Sequence, residues 1–381
     1  MKILHIGESI RGGCGTYLNE IVPLQMRSLG AHNVRCLVPR QHAAQLPDVP
    51  RETLLTFERP ARAAGLPRLA LASLAAIRQW RPDLIHAHST FAGAVVRLLS
   101  LAWPLPPVIY CPHGWVFEVG KTPSVRAGLR LAERLLSYLS HVIVAISNAE
   151  RQQGEQAGIE HGRLAVIPNG ISAKSPRHRA AWNDPRLKVL FVGRLDRQKG
   201  VDVLLQAARP LGARLSLRIV GEQVLSGSLQ PIVEEALGGA LSHVEFLGWQ
   251  DRDGVAGQIN ACDVVVMPSR WEGFGLVAVE AMRAAKPVVA SAVGGLADIV
   301  QDGVTGRLVP PDDPQALAAA LLRDTPAALR RMGEAGRARF MWQYTSDRTA
   351  NGLLRTYAHV LLERAHPWFA PARGGTPGGA H

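Results

Sequence analysis

Short apolar runs alternate with longer amphipathic stretches along almost the whole chain. In the first half the runs are KILHIG, VRCLVP, LLTF, DLIHAH, PVIYC, HVIVAIS and LAVIP. Runs this short, bounded by Gly, Pro and polar residues, read as strands buried on both faces. Helical periodicity lies between most of them, around residues 15–29, 68–80, 90–101, 123–138 and 147–157. Such alternation predicts parallel strands joined by right-handed helical crossovers. ISAKSPRHRAAWNDPR, residues 171–186, breaks the rhythm with two prolines and little apolar periodicity, and reads as a linker. A second set follows: LKVLFVG, LSLRIVG, HVEFLG, DVVVMPS, PVVAS and RLVP. The pattern predicts an α/β protein with two Rossmann-like domains, 1–170 and 187–344, facing each other across a cleft. A helix over 345–366 is expected to pack back on the first domain, and the Gly- and Pro-rich residues 367–381 form a tail.

Composition narrows the class. The chain has 381 residues, 47% hydrophobic and 19% charged, which describes folded domains with cores of their own. Its four cysteines (Cys14, Cys36, Cys111, Cys262) have no CxxC or disulfide spacing, which favours a reducing compartment. MKILHIGES reads as a strand running into a turn, not as a secretory leader. The longest apolar stretch, LLSLAWPLPPVIY, is broken by prolines. A cytoplasmic protein is expected. The net charge of +12 comes mainly from arginine, with neither basic runs nor basic–aromatic interleaving, so no nucleic-acid partner is expected. Two arginine-rich amphipathic stretches, 58–80 and 124–140, are ordinary surface helices or a basic face for anionic lipid.

The chemistry-bearing residues follow predicted strands. GESIRGGCGTYL (7–18) is a glycine-rich turn before a helix expected near Thr16. It is not G-x-G-x-x-G, and no acidic residue follows at the second strand's end, so NAD is disfavoured. A phosphate or sugar against bare backbone, or a simple tight turn, remains. In CPHGWVFE, His113 stands at a strand's carboxyl end. His86 and His88 share one strand face, but the sequence offers no third ligand, and no metal site is expected. LFVGRLDRQKG places Arg194 and Lys199 between a strand and a helix, where two cations suit a diphosphate. The spacing is not that of a P-loop. In WEGFGLVAVEAM, Glu272 and Glu280 would lie about 80° apart on one helix, so a shared face is excluded. With Gly273 and Gly275 forming a turn, Glu272 falls in the loop and Glu280 one turn inside a helix from about Leu276. The unpaired N–H groups of that helix start lie between the two carboxylates. Asp312–Asp313 is read as the cap of the following helix.

Taken together, GGCG, CPHGW, SNAERQ, VIPNGI, VGRLDRQKG, RIVGE, VEFLGW and SRWEGFGLVAVEAMRAAKPVVASAVGGLADIVQDGVTGRLVPPDD resemble the retaining glycosyltransferases of family 4, in that family's order. The resemblance implies the GT-B architecture, with an acceptor-side first domain and a second domain that takes the donor. It also implies roles: Arg194 and Lys199 on the donor diphosphate, Glu272 and His113 on the donor sugar, and Glu280 on the ribose hydroxyls. Phe274, Gly275 and Leu276 would present backbone amides, and Gly13 would approach the donor when the cleft closes. The substrates implied are a nucleotide-diphosphate sugar and a glycan or lipid-linked saccharide acceptor, with no cofactor and no metal. Such an enzyme would build bacterial surface polysaccharide at the inner face of the membrane. Two departures stand out: Ser172 follows VIPNGI where aspartate is common, and GEQV replaces a G-D-G-P turn that contacts the base. Alternatives are another GT-B enzyme, such as an epimerase, and a non-catalytic nucleotide-sugar or glycan-binding partner.

Overall fold

Strand β1 (Ile3–Gly7) is buried along its whole length, as its unbroken ILHIG requires of a central strand in a parallel sheet. The protein is seen in a computed structural model that describes residues 1–59, 62–118, 122–174, 176, 178–212, 214–222 and 241–365. The first sheet adds β2 (Val34–Pro39), β3 (Leu54–Phe57), β4 (Leu84–His88), β5 (Val108–Cys111), β6 (Val142–Ala145) and β7 (Leu164–Val166). Their order is β3-β2-β1-β4-β5-β6-β7, every pair parallel. Helices α1 (Gly13–Leu29), α2 (Arg62–Trp80), α3 (Thr90–Leu99), α4 (Pro123–Ser137) and α5 (Asn148–Gln156) fill the crossovers. Helix α2 begins at Arg62, before the expected residue 68, and carries Pro67 inside it.

The second sheet contains β8 (Leu187–Val192), β9 (Leu215–Val220), β10 (Val244–Gly248), β11 (Val264–Met267), β12 (Val288–Ser291) and β13 (Gly306–Val309). They are parallel in the order β10-β9-β8-β11-β12-β13. Helices α6 (Val201–Ala208), α7 (Arg252–Ala261), α8 (Leu276–Arg283), α9 (Gly294–Ile299), α10 (Pro314–Arg323) and α11 (Pro326–Gln343) pack around it. Two parallel-sheet α/β domains are thus present. In each, strand order reverses once, between β1 and β4 and between β8 and β11. Ligands in such sheets gather outside the carboxyl ends of those strands.

The last helix, α12 (Ser346–Ala365), returns to the first sheet and lies against α1, where Gln25 reaches the Tyr357 hydroxyl at 3.4 Å. The chain's two passages between the halves run side by side: Ile171 forms a bridge with Thr345, and its carbonyl accepts from Ser346 N at 2.9 Å. Gly170 lies where a Cβ would strike the Thr345 carbonyl, so only glycine admits this crossing. Residues 178–186 are less free than their composition suggests. Trp182 is buried, donates from Nε1 to Ser216 Oγ at 3.0 Å and carries the Arg218 guanidinium over its ring. The expected tail, 367–381, lies outside the described residues, as does the GEQV turn from residue 223 onward.

Candidate active site

Loops from both switch points meet. In the second sheet, β8 leads into the loop of Arg194 and Lys199, and β11 into that of Glu272. Gly200 closes the first loop with φ +67°, tight against the Pro268 carbonyl, so the loops after β8 and β11 touch. Lys199 Nζ donates to Glu272 Oε2 at 2.5 Å, with Ser269 Oγ at 3.5 Å from the same oxygen. Arg194 is turned onto its own loop, donating to Asp196 Oδ2 at 2.7 Å and to Gln198 Oε1 at 2.8 Å, and its side chain is half exposed. Asp196 also accepts from Lys199 N at 3.0 Å, which fixes the turn between the two cations.

Helix α8 starts at Leu276 after Gly275, whose φ of +106° no other residue takes comfortably. Phe274, largely buried, packs edge-on against Tyr344 and anchors the loop. Gly294 and Gly295 lie against the Glu272 backbone, whose carbonyl accepts from Gly295 N at 3.1 Å. Glu280 sits in the second turn of α8, partly buried, and no hydrogen-bond partner for its carboxylate occurs among the described residues. Burial raises its pKa, with Arg283 and Arg252 opposing the shift. The Asp312–Asp313 reading holds in part: Asp313 caps α10 by accepting from Ala316 N at 2.8 Å, while Asp312 pairs with Arg270.

The first domain brings two segments to this place. Helix α1 begins at Gly13, three residues before the expected Thr16, because Gly12 alone takes the positive φ (+67°) that ends the turn. A Cβ on Gly13 would stand 3.8 Å from Leu276 Cδ1, so the starts of α1 and α8 face each other. The His113–Gly114 turn lies against the glutamate loop: a Cβ on Gly273 would be 3.4 Å from Gly114 Cα. Ser147 Oγ donates to the Gly273 carbonyl at 3.2 Å, and Ala149 N to Asp298 Oδ2 at 2.9 Å. Gly13, His113, Lys199, Glu272, Phe274, Gly275 and Leu276 are thus brought together where the two domains meet, with Glu280 one turn further along α8, Arg194 turned onto its own loop, and His86 and His88 buried within the first sheet.

Several neighbours escaped the sequence reading. Glu150, fully buried, accepts from Gly114 N at 2.5 Å and Ile146 N at 2.6 Å, with its pKa pushed up by burial to about 7. The capping spacing in SNAE was its signal, since Ser147 caps α5 by accepting from Glu150 N. Arg252 spans the cleft to Glu20 at 2.7 Å and Asp48 at 3.6 Å, a pairing no local pattern announces. The third histidine is His5. The β1–β4 register sets His5 beside His86 and Gly7 beside His88, so His5, His86 and His88 share one face. Their nitrogens lie within 4.8 Å of one another, which corrects the expectation that no third ligand exists. Two of those nitrogens, His5 Nδ1 and His88 Nε2, are already joined at 2.9 Å, so the group reads first as a hydrogen-bond chain.

The chain is similar to known proteins over most of its length. The model of Glycosyltransferase Family 4 matches residues 11–175, and that of Glycosyl transferases group 1 matches residues 186–323. An uncharacterized 41.2 kDa protein in the cps region of Klebsiella pneumoniae is 30% identical over 81% of this chain and 86% of its own. The D-inositol 3-phosphate glycosyltransferase of Geodermatophilus obscurus is 30% identical over 83% and 75%. Among solved structures, sucrose-phosphate synthase from Thermosynechococcus elongatus superposes with TM-score 0.78 at 23% identity, covering 95% of this chain and 100% of that one. Anabaena Alr3699/HepE, in complex with UDP and glucose, gives 0.77 at 22% identity over 94% and 100%. Two domain models that between them cover most of both sheets, a GT-B arrangement of those sheets, and the 30% identity to the Klebsiella relative make the chain a glycosyltransferase belonging to the group 1, family 4 glycosyltransferases.

Proposed function

We propose that this glycosyltransferase moves a hexosyl group, with retention, from a nucleoside-diphosphate sugar to a glycan or lipid-linked saccharide of a bacterial surface polysaccharide. The observation that carries the reading is the Lys199–Glu272 pair set beside the start of α8, with Gly13 opposite and, one turn on, Glu280, whose carboxylate has no hydrogen-bond partner among the described residues. In this reading the diphosphate lies at the N–H groups of Phe274, Gly275 and Leu276. Glu280 accepts from the ribose hydroxyls, while Glu272 and His113 hold the sugar. Lys199, and Arg194 once it leaves Asp196, face the oxygen that gains charge.

The step balances without a protein nucleophile. The bond from the anomeric carbon to the phosphate oxygen breaks while the acceptor oxygen bonds to the same face of that carbon. The acceptor's proton passes to the departing phosphate. The protein then supplies position and a field that grows more favourable as the phosphate leaves. The binding of UDP-glucose in the Anabaena relative of the same fold supports a nucleotide sugar. Calorimetry with UDP, GDP, ADP and dTDP tests the reading: one diphosphate is expected to bind, with affinity lost in Lys199→Ala. At saturating donor that variant should transfer about 100- to 1000-fold more slowly, the cost of removing one fixed donor from a developing charge. Binding of none of the four, or full transfer by the variant, would overturn it.

The lipid-linked acceptor rests on α4. Val125, Leu131, Leu135 and Tyr138 are exposed along it and interleave with Arg126, Arg130 and Arg134. That mixture suits an anionic bilayer surface, and no helix among the described residues is long and apolar enough to cross one. The name of the Klebsiella relative, which sets it in a cps region, agrees with a polysaccharide product. Pelleting with liposomes should favour anionic over neutral lipid at low salt; equal pelleting would remove the membrane from the reading.

A further inference from the structure

A polar residue inside a central strand needs a partner, and His5 finds two. Its Nε2 lies 2.7 Å from Gln25 Oε1 and its Nδ1 2.9 Å from His88 Nε2. His88 Nδ1 in turn lies 3.0 Å from His113 Nε2. The chain therefore runs Gln25–His5–His88–His113 from helix α1, over one face of the sheet, to the turn after β5. At its far end Gln25 Nε2 faces the Tyr357 hydroxyl on α12, which reaches His86 Nδ1 at 2.6 Å. His5, His86 and His88 are all buried.

A neutral imidazole has one donor and one acceptor nitrogen, so a chain of them transmits a direction. Gln25 turns its carbonyl to His5, so His5 Nε2 carries the hydrogen and Nδ1 is bare. His88 must then donate from Nε2, which leaves its Nδ1 bare. His113 donates from Nε2 into that lone pair. We propose that this buried chain fixes the tautomer of His113, so that it offers the cleft an unprotonated Nδ1, and that Gln25, His5 and His88 are positioning residues for it. Burial supports the neutral state throughout: it pushes His5 and His113 down to about 4 and holds His86 and His88 well below the usual histidine range.

The consequence is a specificity. A bare nitrogen accepts a hydrogen bond and cannot donate one, so His113 favours a sugar hydroxyl and disfavours a carboxylate at the same place. The inference rests on the reading that His113 faces the donor sugar, and two measurements separate the two claims. The first needs no ligand: ring-nitrogen shifts of His113 in the nitrogen-15 histidine-labelled full chain at neutral pH. A bare Nδ1 is expected, and a protonated Nδ1 overturns the proposal. In Gln25→Met, which removes the acceptor at similar volume, both tautomers of His113 should appear. Gln25→Glu keeps an acceptor and should restore one.

The second measurement is the ratio of UDP-glucose to UDP affinity. Gln25→Met should lower it about tenfold and leave UDP binding unchanged, a split that general loosening of the fold would not give. His113→Ala should remove the same increment. If His113→Ala lowers the ratio and Gln25→Met leaves both the ratio and the tautomer untouched, the chain does not position His113. If His113→Ala leaves the ratio unchanged, the sugar reading of His113 fails, and the nitrogen shifts still decide the tautomer.

Discussion

At the scale of residues, Glu280 is the clearest conflict between folding and binding. Its carboxylate is partly buried and has no hydrogen-bond partner among the described residues, which is a cost that Arg283 and Arg252 reduce without removing. Folding raises its pKa, so the native state binds the extra proton between the usual carboxylate range and the raised value. Stability therefore falls as pH rises through that window. Glu280→Gln should thus melt at a higher temperature than the parent near pH 8 and equally near pH 4, by scanning calorimetry. The same substitution removes a charged acceptor worth about 1.5–3 kcal/mol, so the donor KM should rise roughly 10- to 150-fold. For the parent, donor affinity should fall as pH drops, earlier than for an ordinary carboxylate. A variant less stable at pH 8, with unchanged KM, would show that Glu280 is a structural residue.

At the scale of elements, the chain was largely legible. Every strand expected from an apolar run is present, because two-sided burial writes strands of a parallel sheet as unbroken hydrophobic stretches. Helix starts were less legible. The turn before α1 has three candidate glycines, and only geometry assigns their tasks: Gly12 takes the positive φ, and Gly15 keeps a Cβ from the Ile10 carbonyl. That leaves Gly13, which is helical and has room for a methyl group beside Leu276. Gly13→Ala should therefore stabilise α1 by about 0.5–1 kcal/mol, the ordinary difference between the two residues in a helix. A phosphate or sugar approaching that backbone would meet the methyl group, so diphosphate-sugar affinity should fall while the urea midpoint rises. Lower stability, or unchanged affinity, would remove Gly13 from the cleft's function. Glu150 escaped the sequence reading although the SNAE spacing marks a helix start; that its carboxylate holds Gly114 depends on the packing of α5 against the turn after β5.

At the scale of the whole molecule, the candidate site lies where the halves meet, and the contacts that join them were the least legible part of the sequence. Arg252 and Glu20 stand 232 positions apart on helices with no shared motif, and periodicity reports which face of a helix is buried but not what lies across a cleft. Among the described residues the polar joining contacts include Arg252 to Glu20 and Asp48, Ser147 to Gly273, and Ala149 to Asp298, beside a buried apolar cluster that holds residues of both halves. Arg252 is exposed although Glu20 is buried, and such a pair contributes about 1 kcal/mol. That is enough to shift an equilibrium between open and closed cleft about fivefold, yet too little to lock it against substrate entry. Arg252→Glu replaces the attraction by repulsion from two acids, while β8 and β11 keep their own loops in place. Closure alone should suffer: the radius of gyration of the unliganded protein should grow in X-ray scattering, and saturating diphosphate should shrink it again. The donor KM should rise about fivefold or more with kcat nearly unchanged, because a closed complex, once formed, holds the same groups around the same diphosphate. A loss of kcat with unaltered scattering would instead place Arg252 among the groups that touch the donor, beside Glu280, whose charged form it already favours.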